Sequence, residues 1–110
     1  MNDDTMDKVI DDRLNQSREI LLHKAKEYVR NGDRLHNFNV GARMSGQSRE
    51  RVLKGFMLKH FISVFDIIDD IDKGVLPKED VLNEKIGDSI NYLILLEASI
   101  KDKLGRQANG

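Results

Sequence analysis

The sequence contains no cysteine and no tryptophan, only one proline, and few aromatic residues. Without cysteine the protein has no disulfide framework, no thiolate nucleophile and no cysteine-ligated metal. The single proline, Pro77, and the lack of any sustained alternation of β-branched residues predict an all-α fold. The longest apolar runs are too short to cross a bilayer, so we expect no membrane partner.

The charges nearly balance, since the sequence contains 18 Lys and Arg residues and 19 Asp and Glu residues. A general nucleic-acid binder would be strongly basic on at least one face, so we do not expect that function. The opening residues MNDDTMDK are acidic and polar, unlike a secretory signal, and together with the lack of cysteine they favour the cytoplasm. A length of 110 residues suits one domain over 1–110, with frayed ends at 1–4 and 105–110.

Apolar spacing predicts a small bundle of three long helices and one short helix. Ser48 has the chemistry of an N-cap, and Gly46 and Gly74 mark helix ends. Pro77 favours a helix start just after it. The helices are expected from about Asp4 to Arg30, from Asn37 to Met44, from Ser48 to about Lys73, and from just after Pro77 to about Leu104.

Two of the long helices carry a polar stripe although they are apolar almost all round. On the last helix Glu84, Asp88 and Asn91 share a stripe, and on the third helix Lys59, Asp66 and Asp70 do so. Helices of this kind are buried on more than one side, so we expect the stripes to run into the interior. The side chains Asp66, Asp70, Glu84 and Asp88 would then share an all-oxygen site that suits Mg²⁺.

Polar and aromatic side chains around these stripes are candidates for nucleotide binding. Lys59, Arg34 and Lys24 would meet phosphates, while amides such as Asn37 and Asn91 can both donate and accept hydrogen bonds. The candidate nucleotide-binding residues are Lys24, Tyr28, Asp33, Arg34, His36, Asn37, His60, Asn91 and Tyr92. Purely structural roles stay open for several candidates: surface for Asp70, an ion pair for Lys59, core for His60, and the core edge for the tyrosines.

Four motifs, KAKEY at 24–28, GDRLHNF at 32–38, KHFISVFD at 59–66 and EKIGDSINYLILLEA at 84–98, together resemble the nucleotide modification associated domain 1 family of bacteriophages and bacteria. Its helices are similar to those of the all-α nucleotide pyrophosphatases such as MazG. The resemblance implies that Asp66 and Asp69 or Asp70 stand near a first Mg²⁺-binding motif, and Glu84 and Asp88 near a second. It also implies that DRLHNF is the nucleotide-contacting loop.

The resemblance and the stripes lead to one main hypothesis and two alternatives. The first is a Mg²⁺-dependent nucleoside triphosphate pyrophosphohydrolase in phage nucleotide metabolism, with Asp66, Glu84, Asp88 and Lys59 as catalytic residues. The second is a non-catalytic protein that binds or sequesters a nucleotide or a nucleotide-derived defence signal. It is favoured because this chain has fewer carboxylates than that group normally has, with Lys85 in place of a glutamate. A helical assembly module is the third. The excess of apolar faces predicts a homo-oligomer, a dimer or a tetramer.

Overall fold

The computed structural model describes residues 1–28 and 32–109, with side chains for 1–23 and 32–107, and within these ranges it contains four α-helices and no β-strand. The all-α prediction is therefore confirmed. The helices are α1 (Asp3–Tyr28), α2 (His36–Ser45), α3 (Arg49–Asp72) and α4 (Glu79–Asn109). No helix within the described ranges combines the length and the apolar character that a membrane span requires.

Local capping chemistry places the ends of α2 and α3 where the sequence predicts them. The side chain of Ser48 accepts a hydrogen bond from the backbone N–H of Arg51 at 3.1 Å, which satisfies one of the free donors of the first turn of α3. Gly46 follows α2 with φ of +70°, and Gly74 follows α3 with φ of +85°. Both glycines adopt the left-handed conformation that commonly ends a helix.

The outer ends of α1 and α4 extend further than predicted. Residues 1–4 were expected to fray, yet α1 begins at Asp3, because the side chain of Asn2 accepts a hydrogen bond from the N–H of Thr5 at 2.9 Å. Residues 105–110 were also expected to fray, yet α4 continues to Asn109. Gly105 does not break it, since Arg106 and Asp102 form an ion pair across that position at 2.9 Å.

Helices α3 and α4 form the central pair of the fold, with α2 packed on α3 and α1 packed on α4. The contact between α1 and α4 is close at Gly87, where an added Cβ would lie 2.6 Å from the Nη1 atom of Arg13. The guanidinium of Arg13 also donates to the carbonyl oxygen of Asn83 at 3.1 Å. The guanidinium of Arg13 therefore lies directly against the backbone of α4 at Gly87.

The apolar core of the single chain is small. Among the described residues only Leu53 and Met57 are buried apolar side chains, whereas many large apolar side chains on α1, α3 and α4 are exposed. The radius of gyration is 16.6 Å, compared with about 13 Å for a compact domain of this length. The accessible surface is 8395 Å², compared with about 6200 Å² for a compact protein of this mass. The chain is therefore elongated and leaves much apolar surface uncovered.

Candidate functional site

The predicted acidic site does not come together within the single chain. Asp66 and Asp70 are exposed on α3, and Glu84 is exposed on α4 with its nearest ion-pair partner, Lys85, at 3.8 Å. Lys59 is exposed as well. The expectation that both stripes run into the interior is wrong for these side chains. No three His, Asp or Glu side chains in the described part of the chain are grouped so that they could hold a metal ion.

Asp88 lies in a different environment, beside a cluster of rings that we call the aromatic cluster: Phe38, Phe56, His60 and Tyr92. The Nδ1 atom of His60 lies 3.6 Å from a carboxylate oxygen of Asp88, and the imidazole stacks on Tyr92 with the ring centres 4.8 Å apart. Phe56 also stacks on Tyr92, with the ring centres 6.0 Å apart, and Phe38 contacts the rings of Phe56 and Tyr92 edge-on. Three of the candidate residues, His60, Asp88 and Tyr92, are thus neighbours.

The predicted nucleotide-contacting loop is ordered by Asp33. Its carboxylate accepts a hydrogen bond from the N–H of Leu35 and a second from the side-chain amide of Asn39, each at 2.9 Å. The hydrogen bond from the backbone of Leu35 is the main reason why the pKa of Asp33 lies below its usual value. Arg34 reaches back to α1 and donates to the carbonyl oxygen of Leu21 at 2.8 Å.

The remaining loop candidates lie elsewhere. His36 and Asn37 form the first turn of α2, where His36 is half-buried and Asn37 is exposed. The side chains of Lys24 and Tyr28 fall outside the described part of the structure.

A buried guanidinium, that of Arg49, joins three helices next to this loop. Its Nε donates to the hydroxyl of Ser99 at 2.6 Å, and its Nη2 donates to the carbonyl oxygen of Ser99 at 2.9 Å and to a carboxylate oxygen of Asp102 at 3.0 Å. Its Nη1 donates to the side-chain oxygen of Asn39 at 3.1 Å. Asn39 thereby connects Arg49 to Asp33. This Arg49 network fixes α2 and the loop relative to α3 and α4.

Glu50 extends the network toward solvent. Its carboxylate accepts hydrogen bonds from the hydroxyl of Ser99 and from the ammonium of Lys103. Burial by itself raises the pKa of Glu50, but the hydrogen bonds from Lys103 and Ser99 outweigh it, so the pKa lies below its usual value. Glu50 is therefore held in its charged form at neutral pH.

A cavity of about 660 Å³, which we call the larger cavity, opens between α1, the loop and α4. Its walls are mostly apolar and include Leu21, Leu35 and Leu95. The lining also includes Asp33 and Arg34 of the predicted loop, together with Asn39, Arg49 and Asp102 of the Arg49 network. Its size and its apolar walls with a few polar groups are typical of a small-molecule site.

Two buried polar side chains have no hydrogen-bond partner within the described residues. The hydroxyl of Ser17, a residue only 3% exposed on the wall of the larger cavity, is one of them. The other is the side-chain amide of Asn91, which is buried on α4. Buried polar groups are normally paired, so these positions have unused capacity for a ligand or a water molecule.

A second cavity of about 420 Å³, the smaller cavity, adjoins the first and shares Asn39, Arg49 and Arg106 with it. The rest of its lining is Ala42, Arg43 and Lys103. Among the residues that the structure describes, every charged side chain on this lining is a cation.

Sequence reasoning missed Arg49, Asn39 and Ser99 as site residues. Arg49 carried a usable signal, because it is the first residue of α3, where the positive end of the helix dipole disfavours a cation. An arginine at such a position needs a specific acceptor to hold it. Asn39 and Ser99 carried no comparable signal, since their roles depend on tertiary contacts with Arg49, which lies 10 positions from Asn39 and 50 from Ser99.

The fold and the cavities define a small all-α protein with adjoining apolar and cationic cavities beside a buried arginine. No family model matches the chain. Neither a curated protein nor a solved structure matches it either. The resemblance drawn from the four motifs therefore stays a prediction, and the functional argument rests on the geometry.

Proposed function

We propose that this protein binds a nucleotide or a nucleotide-derived anion in the larger cavity and does not hydrolyse it. The observation that carries the proposal is that Asp33 and Arg34, from the predicted nucleotide-contacting loop, line a cavity with apolar walls large enough for a base and sugar. The unpartnered hydroxyl of Ser17 on the same wall can accept or donate a hydrogen bond to such a ligand.

The charges around the cavities support an anionic ligand. Cations predominate on the two linings, where the charged side chains are Arg18, Arg34, Arg43, Arg49, Lys103 and Arg106 against Asp33 and Asp102. Glu50, behind Lys103, adds one more negative charge. The surroundings keep a net positive charge although the whole chain carries −1. A local positive field in a cleft attracts anionic ligands.

The hydrolase hypothesis has less support. A Mg²⁺ ion in such a site is held by carboxylates together with substrate phosphates, and within one chain Asp66, Asp70 and Glu84 are exposed and are not grouped with Asp88. The donor set of the single chain does not fit the ion, so no catalytic step is derived through it. Mg²⁺ dependence stays a prediction.

The test is incubation of the purified protein with a pool of nucleoside triphosphates and cyclic nucleotides, with and without Mg²⁺. Mass spectrometry then follows both the solution and the material that the protein retains. Retention of an unaltered nucleotide is expected. Mg²⁺-dependent release of monophosphate and pyrophosphate, lost in Asp66→Asn, would establish the hydrolase instead.

The variant Arg18→Gln tests whether the ligand binds in the larger cavity, since Arg18 is an exposed cation on the wall of that cavity. We expect weaker retention in this variant. Arg51→Gln is the matched control, because Arg51 is an exposed arginine on α3 that lines neither cavity. Equal retention by both variants and the wild type would place the ligand elsewhere.

We also propose that the protein is a homo-oligomer in which a second copy covers the exposed apolar face of α3. Leu58, Ile62 and Phe65 are 56%, 48% and 58% exposed and follow one another at helical spacing; we call them the apolar face of α3. The accessible surface exceeds that of a compact chain by about 2200 Å², an area in the range buried by obligate dimers. A second copy of the chain is the one partner that is always present at the same concentration as the chain itself.

A further inference from the structure

The smaller cavity has no role in the argument for the base and sugar, yet its composition is specific. It lies between α2, the start of α3 and the end of α4, and within the described part of the chain the only uncharged residues on its lining are Asn39 and Ala42. Four cationic side chains that converge on one cavity repel each other unless anions neutralise them. The protein itself supplies some of these anions.

Protein carboxylates neutralise only part of this charge. Lys103 is paired with Glu50, whose carboxylate also lies 3.7 Å from the Nε atom of Arg49, and Arg49 and Arg106 share the carboxylate of Asp102 at 3.0 and 2.9 Å. Arg43, an exposed residue in the last turn of α2, forms no ion pair within the described residues. Two positive charges at the cavity are thus left without a protein counter-charge, one from the pair of arginines at Asp102 and one from Arg43.

Hydrogen-bond donors are also left over. A guanidinium has five N–H donors, and Arg49 uses four of them on Ser99, Asn39 and Asp102. The fifth, on Nη1, has no acceptor among the described residues. Because Arg49 is buried and held from three helices, this donor is fixed in place before any ligand arrives, which lowers the cost of ordering it on binding.

The connection between the two cavities defines the kind of ligand. Asn39, Arg49 and Arg106 line both, so one molecule can place an apolar ring system in the larger cavity and an anionic chain in the smaller one. Planar guanidinium groups match the geometry of phosphate oxygens and bind them through paired hydrogen bonds.

We propose that the smaller cavity is a polyphosphate subsite, in which Arg43, Arg49 and Arg106 hold the phosphate chain of a nucleoside polyphosphate. This proposal rests on the proposed function for the nature of the whole ligand, but the subsite itself requires only phosphate groups. The protein therefore discriminates by the number of phosphates, and a nucleoside without phosphate occupies the larger cavity alone.

Isothermal titration with inorganic tripolyphosphate, at low and at physiological salt, tests the subsite without any nucleoside. Saturable binding at one site per chain is expected for the wild type. Arg43→Gln should weaken it about tenfold, the effect of losing one charge-assisted hydrogen bond. Arg51→Gln, the same change at an exposed arginine outside both cavities, should weaken it less than about twofold, through long-range charge alone.

A second pair of variants keeps the test independent of Arg43. Ala42 lines only the smaller cavity. Ala42→Glu places a carboxylate there and should abolish tripolyphosphate binding, while Ala42→Gln, of nearly the same size, should retain most of it. Circular dichroism checks that both variants fold, and a pair that binds equally well or equally poorly would contradict the subsite.

Two outcomes overturn the proposal and are distinguishable from a failure of the proposed function. If nucleotides are retained by the protein while tripolyphosphate does not bind, the function survives and the subsite is wrong. If Arg43→Gln and Arg51→Gln weaken tripolyphosphate binding equally, the binding is nonspecific attraction. A short single-stranded oligonucleotide in the same titration separates free polyphosphate from a nucleic-acid backbone, and tighter binding of the oligonucleotide would also overturn the proposal.

Discussion

At the scale of single residues, the contacts of Arg49 unite the loop, α2, α3 and α4. Its partners lie on α2 and α4, and they are the side-chain oxygen of Asn39, the hydroxyl and carbonyl oxygens of Ser99 and a carboxylate oxygen of Asp102. The cost of removing such a group comes mainly from the partners left behind.

We expect Arg49→Met to lower the free energy of unfolding by about 3 kcal/mol, because it leaves Asn39 and the buried Ser99 without their donor, while Asp102 keeps its ion pair with Arg106. Urea denaturation at a fixed protein concentration measures the change. Arg51→Met, on the exposed face of the same helix, should change it by less than about 0.5 kcal/mol. A similar small effect at Arg49 would mean that the network adds nothing to stability.

The acids of the network make stability depend on pH. The pKa of Asp33 is lowered in the folded state, so its contribution is present above the usual value of 3.8 and is lost as the pH falls through the lower folded value. We expect Asp33→Asn to be less stable than the wild type at neutral pH, with the difference shrinking below pH 3.8. Thermal unfolding from pH 7 to pH 3 measures this. Asp66→Asn, the same change at an exposed acid outside the network, is the matched control.

At the scale of the helices, most boundaries could be predicted because they depend on neighbours in sequence. Ser48, Gly46 and Gly74 act within one turn of their own position, so their chemistry is visible in the sequence. The end of α4 could not be predicted in the same way. Asp102 stabilises it by binding both Arg106 in its own helix and Arg49 from α3, and the second contact depends on tertiary structure.

Two glycines should respond in opposite directions to the same substitution. Gly46→Ala forces an alanine into φ of +70° and should cost about 1 kcal/mol of stability. Gly55→Ala lies inside α3, where an added Cβ meets no atom within 4 Å, and should stabilise the protein by about 0.5–1 kcal/mol. Chemical denaturation of the two variants in parallel measures both. The same sign for both would contradict the assigned backbone conformations.

At the scale of the whole molecule, the sequence predicted the loop of the candidate site better than its centre. A helical wheel gives the angle between residues on one helix, but it does not say which arc meets the neighbouring helix. The stripe of Lys59, Asp66 and Asp70 faces solvent, while Arg49, which belongs to no stripe, lies at the centre of the contacts. Asp33 and Arg34 could be named as candidates because their loop places several polar side chains at neighbouring positions, and their role in binding stays a prediction.

The uncovered apolar surface predicts an assembly that depends on the apolar face of α3, formed by Leu58, Ile62 and Phe65. Phe65→Glu should convert the oligomer into a monomer, because it places a charge on a face that would be buried between copies. Light scattering after size-exclusion chromatography measures the mass, and the melting temperature of the wild type should rise with protein concentration. Met44→Glu, at an exposed residue in the last turn of α2, should leave the mass unchanged. A monomeric wild type would exclude the assembly.

The packing of α1 on α4 sets an order of events during synthesis on the ribosome. Arg13 in α1 donates to Asn83 in α4, which is made 70 positions later, and α4 is the main neighbour of α1 in the fold. Helix α1 therefore emerges before the surface on which it packs exists. Domains usually fold from the N-terminus as they emerge. Here α1 must wait for α4, so the nascent chain carries an unpaired amphipathic helix until α4 has also been made.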